Sequence, residues 1–150
     1  MATITVGTNS YVTEAELTTF ATDRGITITG DTAILLIKAM DYIETRNFIG
    51  EKTLSTQDLQ WPREVCTGVF NCTIDNTIVP TDIKSAQMTA ALIIDGGDEV
   101  QPAIDRTVKR EKVDVLEVEY MDSSLATKQH TKLNDFLRPY LHNQLKAMRV

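Results

Sequence analysis

Asp31-Thr32-Ala33-Ile34-Leu35-Leu36-Ile37-Lys38-Ala39-Met40-Asp41-Tyr42-Ile43 is the most regular stretch of the chain. Ala33, Leu36, Ile37, Met40 and Ile43 recur at steps of three and four residues, which lines one face of an α-helix. Lys38, Asp41 and, one step further, Glu44 fall on the opposite face. Asp31, directly after Gly30, is the expected N-cap, because its carboxylate can accept from amides that the first turn leaves without partners. The pattern predicts a helix over residues 31–47, closed by Gly50.

Helical signals continue on both sides. Upstream, Thr13 and Glu16 have the spacing of a capping box, Leu17, Phe20 and Ala21 follow at helical intervals, and Gly25 supplies a left-handed stop. Before them, Ile4 and Val6 alternate with polar residues, as in a short strand or extended arm. Downstream, residues 51–79 read as a loop followed by a hairpin, with β-prone runs at Val69-Phe70 and Thr77-Ile78-Val79. Pro80 opens a third helix, where its missing amide costs nothing. Ile83, Ala86, Gln87, Ala90, Ile93 and Ile94 face inward, small residues allow close approach of a neighbour, and Gly96-Gly97 end the helix.

In residues 109–120 the apolar positions change phase. Val113 and Val115 alternate with charges, and then Leu116, Val118 and Tyr120 do so one position out of step. A single period-2 strand cannot hold both sets on one face, so a bulge near Val115-Leu116 or contact on both faces is expected. The charge carried here (Lys109, Arg110, Glu111, Lys112, Asp114, Glu117, Glu119) suits an edge or arm that pairs with something else. Near the C-terminus, Leu133, Leu137, Tyr140, Leu141, Leu145 and Met148 have helical spacing. Pro139 interrupts them, which predicts a kink or two short helices meeting at Arg138. The fold expected is mainly α, a small bundle of about four helices with a β-hairpin or extended β arm. It forms one domain over residues 1–150, with a helical core over 9–97, a linker and arm over 98–122, and a C-terminal helical segment over 127–150.

A chain of 150 residues can bury a core without disulfide or metal staples, and its 42% apolar, 24% charged composition is that of a folded protein. No apolar run reaches the length of a membrane span, and the first dozen residues do not read as a secretory signal. The net charge of −6 weighs against a general nucleic-acid binder. It is unevenly distributed: residues 128–150 carry five Lys or Arg against Asp135 alone, a net +4, and the rest of the chain sums to −10.

No catalytic constellation is present in the sequence. There is no phosphate-binding glycine loop and no G-x-S-x-G, and neither His130 nor His142 pairs with a Cys or Ser in an interpretable pattern. Cys66 and Cys72 lack the second ligand pair a zinc site needs. They read as reduced thiols in a surface loop, or as a disulfide across a hairpin if the surroundings are oxidising. An enzyme is not expected, and no metal or cofactor is implied. Leu59-Gln60-Trp61-Pro62-Arg63 has the most local character. Trp61, the only Trp, reads as a core plug with Pro62 fixing the exit of the chain. Arg63 beside it could hold loop carbonyls or a neighbouring subunit's carboxylate.

An ordered series of motifs resembles a known group. Asn9-Ser10-Tyr11-Val12 stands before a capped helix, followed by Leu36-Ile37-Lys38-Ala39-Met40-Asp41-Tyr42-Ile43 and then by Leu59-Gln60-Trp61-Pro62-Arg63. Val79-Pro80, Ile83-Lys84 and Ala86-Gln87 complete it. Together with the stretch from Val108 to Tyr120, the series resembles the head–tail connector (head-completion adaptor) proteins of tailed bacteriophages. Within them it is most similar to a subgroup labelled DnaT-like single-stranded-DNA-binding proteins.

The resemblance implies a mostly helical subunit of a ring, commonly of twelve copies, beneath the portal protein. Such a ring extends the channel for double-stranded DNA, which passes without sequence-specific contact, and meets a stopper or tail-completion protein. The location implied is the virion neck, with the host cytoplasm during assembly. Lys109, Arg110, Lys112, Val113, Val115, Leu116, Val118 and Tyr120 would form an intersubunit or tail-side arm. Leu133, Leu137, Arg138, Tyr140, Leu141, Lys146 and Arg149 would dock the C-terminal segment on the portal. The subgroup label suggests an alternative, a single-stranded-DNA-binding or replication-associated module, which should show aromatic platforms in a basic groove.

Overall fold

A computed structural model describes residues 2–66, 72–100, 111–113, 116–118 and 130–142, with the backbone alone for Cys66, Cys72, Thr73 and the two strands within 111–118. Among the described residues four α-helices occur in chain order: α1 (Glu14–Thr22), α2 (Thr32–Glu44), α3 (Thr81–Asp95) and α4 (Thr131–Leu137), the last running into a 3-10 turn, Arg138–Tyr140. β1 (Glu51–Lys52), β2 (Arg63–Cys66) and β3 (Cys72–Ile74) make a small antiparallel sheet in the order β1-β2-β3. Among the described strands, β4 (Glu111–Val113) and β5 (Leu116–Val118) pair only with each other. The chain is a mainly α domain with a β-hairpin.

The helices start where the chemistry of their first turns predicts. The Thr13 side chain accepts from the Glu16 amide at 3.2 Å while the Glu16 carboxylate takes the Thr13 amide at 2.6 Å, a complete capping box. Asp31 caps α2 by accepting from the amides of Ala33 and Ile34. Pro80 precedes α3, and Gly96 closes it. α2 is the central helix. It packs on α3 and α1, and α3 in turn receives α4. Leu36, Ile43 and Ile83 are completely buried, each worth about 1.5–3 kcal/mol relative to exposure. Ala86, Ala90 and Ala91 are also fully buried, so the α3 backbone comes close to its neighbours.

Several expectations need correction. α2 ends at Glu44, with Thr45 as its C-cap, six residues before Gly50. Gly50 instead lets the chain approach β2. A Cβ there would lie 2.2 Å from the Glu64 carbonyl oxygen, at a φ of +75° that side chains rarely adopt. Glu44 turns inward instead of toward solvent. Ile4 and Val6 form no strand; Val6 makes only an isolated bridge to Ser10. In residues 51–79 the strands are β1, β2 and β3, and Thr77-Ile78-Val79 is turn and extended chain. Val69-Phe70 lies outside the described residues.

Of residues 109–120, the structure describes two short strands instead of one. Val113 stands opposite Leu116, Lys112 opposite Glu117 and Glu111 opposite Val118, an antiparallel register. Partners directly opposite share a face of the ladder, so the positions of Val113, Leu116 and Val118 fall on one face. Val115 and Tyr120 lie outside the described residues. The break at Pro139 is as expected, since α4 gives way to the 3-10 turn at Arg138.

Candidate functional site

The Trp61-Pro62-Arg63 motif sits where the loop after α2 meets the bundle. Trp61 is 2% exposed and meets Phe48 and Tyr140 edge-on, with ring centroids 5.6 and 5.4 Å away. Its peptide bond to Pro62 is cis. Arg63 is 8% exposed and faces carbonyls of its own chain. Nε donates to Ile49 O at 2.9 Å, one terminal nitrogen to Gln60 Oε1 at 3.0 Å, and the other to the carbonyls of Phe48 and Gly50. Burial lowers its pKa, and the nearby Glu44 and Glu51 carboxylates oppose that effect. Of the two roles open to Arg63 from sequence, the carbonyl-holding one is occupied: the guanidinium clamps residues 48–50 beside β2.

A second buried network ties the N-terminal segment to the same loop. The Tyr11 hydroxyl donates to Glu44 Oε1 at 2.6 Å and accepts from the Trp61 amide at 3.1 Å. Burial, reinforced by the Glu44 carboxylate, pushes the hydroxyl's pKa far up, so it remains a donor. Glu44 also takes the Gln60 amide at 3.0 Å, and the Gln60 side chain returns to the carbonyls of Glu44 and Arg46.

Gln87, fully buried on α3, accepts from the Tyr11 amide at 3.0 Å. It donates to Ser10 Oγ at 2.8 Å and to Leu36 O at 3.1 Å. Asn9 folds the first turn onto itself through Thr5 and Thr3. The inward phase of Gln87 in α3 was a signal for this network. Glu44 gave none, because its partner Gln60 comes from a loop sixteen residues on.

The remaining predicted residues lie elsewhere. Leu133 and Leu137 are fully buried in the core, and Tyr140 and Leu141 pack against it. The Tyr140 hydroxyl donates to Asp82 at 2.9 Å, its pKa raised to about 12 by burial and by that carboxylate. Phe48 and Leu141 form a bridge, and the His142 amide donates to Asn47 O at 3.0 Å. These four side chains therefore hold α4 to the body and leave Leu133 and Leu137 no surface to offer a portal. Arg138 is exposed. Lys146 and Arg149 lie outside the described residues, as do Lys109, Arg110, Val115 and Tyr120. Lys112, Val113, Leu116 and Val118 fall in the β4–β5 hairpin, which contacts no other described helix or strand.

Two surface grooves lie among the described residues. One, of about 430 Å³, lies between α2 and the end of α3 and is lined by Lys38, Asp41, Tyr42, Thr45, Ile94 and residues 98–100. The other, of about 510 Å³, lies between α1 and the loop to α2 and is mostly lined by Thr, Ile and Gly. Neither contains a nucleophile–base pair. Among the described residues no three His, Cys, Asp or Glu side chains converge as a metal set, and no helix is long and apolar enough to cross a membrane.

The model of a family described as "Putative DnaT-like ssDNA binding protein" matches residues 2–150. The chain belongs to that family. No curated protein and no solved structure matches it. The family description names single-stranded DNA and is silent about connectors.

Proposed function

Taking that membership as premise, we propose that the chain is a structural adaptor of the tailed-phage head–tail connector. Copies of it form a ring below the portal, extend the DNA channel, and present a surface to a stopper or tail-completion protein. The observation that carries this reading is the β4–β5 hairpin, which packs on no other described element of its own chain. A lone two-stranded ribbon is marginally stable in water, and among the described strands none pairs with its outer edges. A neighbouring copy can satisfy both by strand addition.

Size and charge support the same reading. A domain of this length has a radius of gyration of about 15 Å and cannot enclose a duplex, so a channel requires several copies. An acidic body keeps DNA from sticking, since each phosphate–Lys/Arg contact adds affinity. Docking to the portal would fall to Arg138 and the basic residues that follow it. The reading assigns no catalytic residue, metal or cofactor. It places the protein in the virion neck, and in the host cytoplasm while the neck is assembled.

The family description favours a second reading, a single-stranded-DNA-binding module. Stacking on aromatic rings in a basic groove would supply such binding. Among the described aromatics, Tyr11, Tyr42, Phe48 and Trp61 are buried, while Phe136 and Tyr140 pack on the core. Phe20 lies beneath the Arg24 guanidinium, 3.4 Å from its ring centre.

Light scattering and electron microscopy of the protein, alone and mixed with portal, test the first reading. Anisotropy of a labelled oligonucleotide across a salt series tests the second. A ring or portal co-complex with negligible DNA affinity at physiological salt is expected. Micromolar single-strand binding with a steep salt slope, and no assembly, would transfer the function to the second reading.

A further inference from the structure

The only two cysteines of the chain are set against each other by a register shift. β2 and β3 pair Val65 with Ile74, and continued without interruption that ladder would place Cys66 opposite Thr73. The register changes between Val65 and Cys66, and Cys66 instead stands opposite Cys72. Thr73 is thus the extra residue of a β-bulge on β3, and the bulge creates the cysteine pairing.

Directly opposed residues of an antiparallel ladder share a face, with Cα atoms about 4.5–5.5 Å apart depending on the pair type. Disulfides span about 4.4–6.8 Å between Cα atoms. Either pair type is therefore within bonding range without moving the strands apart. β3 is also an edge of the three-stranded sheet, where a covalent tie to β2 would do most to prevent fraying.

From this placement we propose that Cys66 and Cys72 are a disulfide-forming pair, a covalent staple across β2 and β3 that closes when the protein moves from reducing to oxidising surroundings. The oxidant is a small-molecule disulfide such as oxidised glutathione. One cysteine thiolate attacks it, forming a mixed disulfide and releasing one glutathione thiolate. The second cysteine thiolate then attacks the protein sulfur of the mixed disulfide and releases the second glutathione. The protein loses two electrons and two protons, and one glutathione disulfide becomes two thiols. The cytosolic thiol pool keeps the pair reduced, and release from the cell removes that protection.

The test equilibrates the full-length wild-type protein with reduced and oxidised glutathione, natively and in urea, followed by alkylation and mass spectrometry. Trypsin cuts after Arg63 and Lys84, and no Lys or Arg lies between them, so both cysteines fall in one peptide. The expected native product is a monomer whose 64–84 peptide is two hydrogens lighter and unalkylated. Its equilibrium constant should exceed that in urea by about tenfold or more, because folding holds β2 and β3 in this register. Both cysteines alkylated in the native state, glutathione adducts or interchain dimers as the main product, or equal native and urea constants would each overturn the proposal.

Discussion

Replacing Gln87 with Leu tests whether the family's motif residues hold the fold together. The side chain is completely buried and makes three hydrogen bonds, to the Tyr11 amide, Ser10 Oγ and Leu36 O. The three losses differ in cost. Ser10 Oγ keeps Val12 O as an acceptor at 2.7 Å, and Leu36 O lies within α2, where the helix ladder also uses it. Among the described residues the Tyr11 amide has only Gln87, and it is left buried without a partner. One such orphan costs about 1–3 kcal/mol, and the two weakened contacts add about 0.5–1 kcal/mol each. The sum of about 2–5 kcal/mol falls to about 1–4 kcal/mol once an apolar gain of about 1 kcal/mol for Leu is deducted, a large part of a typical domain's 5–15 kcal/mol. In urea, with a slope of about 2 kcal/mol per molar, the midpoint should fall by about 0.5–2 M at unchanged slope.

The variant Gln87→Glu adds a sign. Its carboxylate still accepts from Tyr11 but can donate to Leu36 O only when protonated, and burial raises its folded pKa. Stability should therefore be near the wild-type level below the unfolded Glu pKa and fall as pH rises above it, up to the folded value. A Gln87→Leu loss under about 1 kcal/mol, or a Gln87→Glu deficit that does not change with pH, would refute the reasoning.

Three other perturbations have defined outcomes. Arg63→Lys removes the planar fork that reaches the carbonyls of residues 48–50; it should cost about 1.5–3 kcal/mol in chemical denaturation and leave helical circular dichroism intact. For Tyr140, the folded pKa is about 12 against an ordinary 10, so the unfolded chain releases that proton first. Stability should decline between those values as pH rises, and Tyr140→Phe should flatten the decline in alkaline thermal scans. Replacing residues 101–129 with a short Gly/Ser linker should leave a folded monomer. The His130 Nε2 lies 3.3 Å from Glu99 O, so the excursion starts and ends at nearly one place. Loss of helical circular dichroism in that deletion would mean that the segment is needed by the core.

Helix starts were the most readable parts of the sequence because they depend on neighbours within a turn. Thr13 with Glu16, and Asp31 with the two amides after it, are local interactions. The sheet was nearly illegible for the opposite reason. β1 has two residues and β3 has three, too few to display alternation, and their pairing depends on a bulge and on the approach of Gly50 to Glu64. Glu44 was misplaced because helical phase put it opposite the apolar stripe, while Tyr11 and Gln60 from distant segments turned it into an acceptor. The apolar spacing of Leu133 and Leu137 was read correctly as a helix face. Spacing does not say whether such a face meets its own body or a partner, and here it meets its own body.

That ambiguity bears on what the family match transfers. Ser10, Tyr11, Trp61, Arg63 and Gln87, which carry much of the resemblance, are all buried. Each has an internal contact that accounts for it: an amide, a carbonyl, a hydroxyl or an aromatic ring. Asn9, too, is satisfied by the turn it closes. Side chains so deeply buried cannot also contact DNA or another protein without unmaking the fold, because exposing them would break the internal bonds and ring contacts they make. The motifs therefore report a shared body plan, and the parts to probe for activity are those outside them: the β4–β5 hairpin, which contacts no other described helix or strand, and the exposed Arg138. A protein built on the same body could bind single-stranded DNA or join a ring by changing those parts alone. For this chain, measurements of assembly and of the hairpin will discriminate between the two functions better than mutation of the Trp-Pro-Arg motif, whose variants should lose stability first and function only as a consequence.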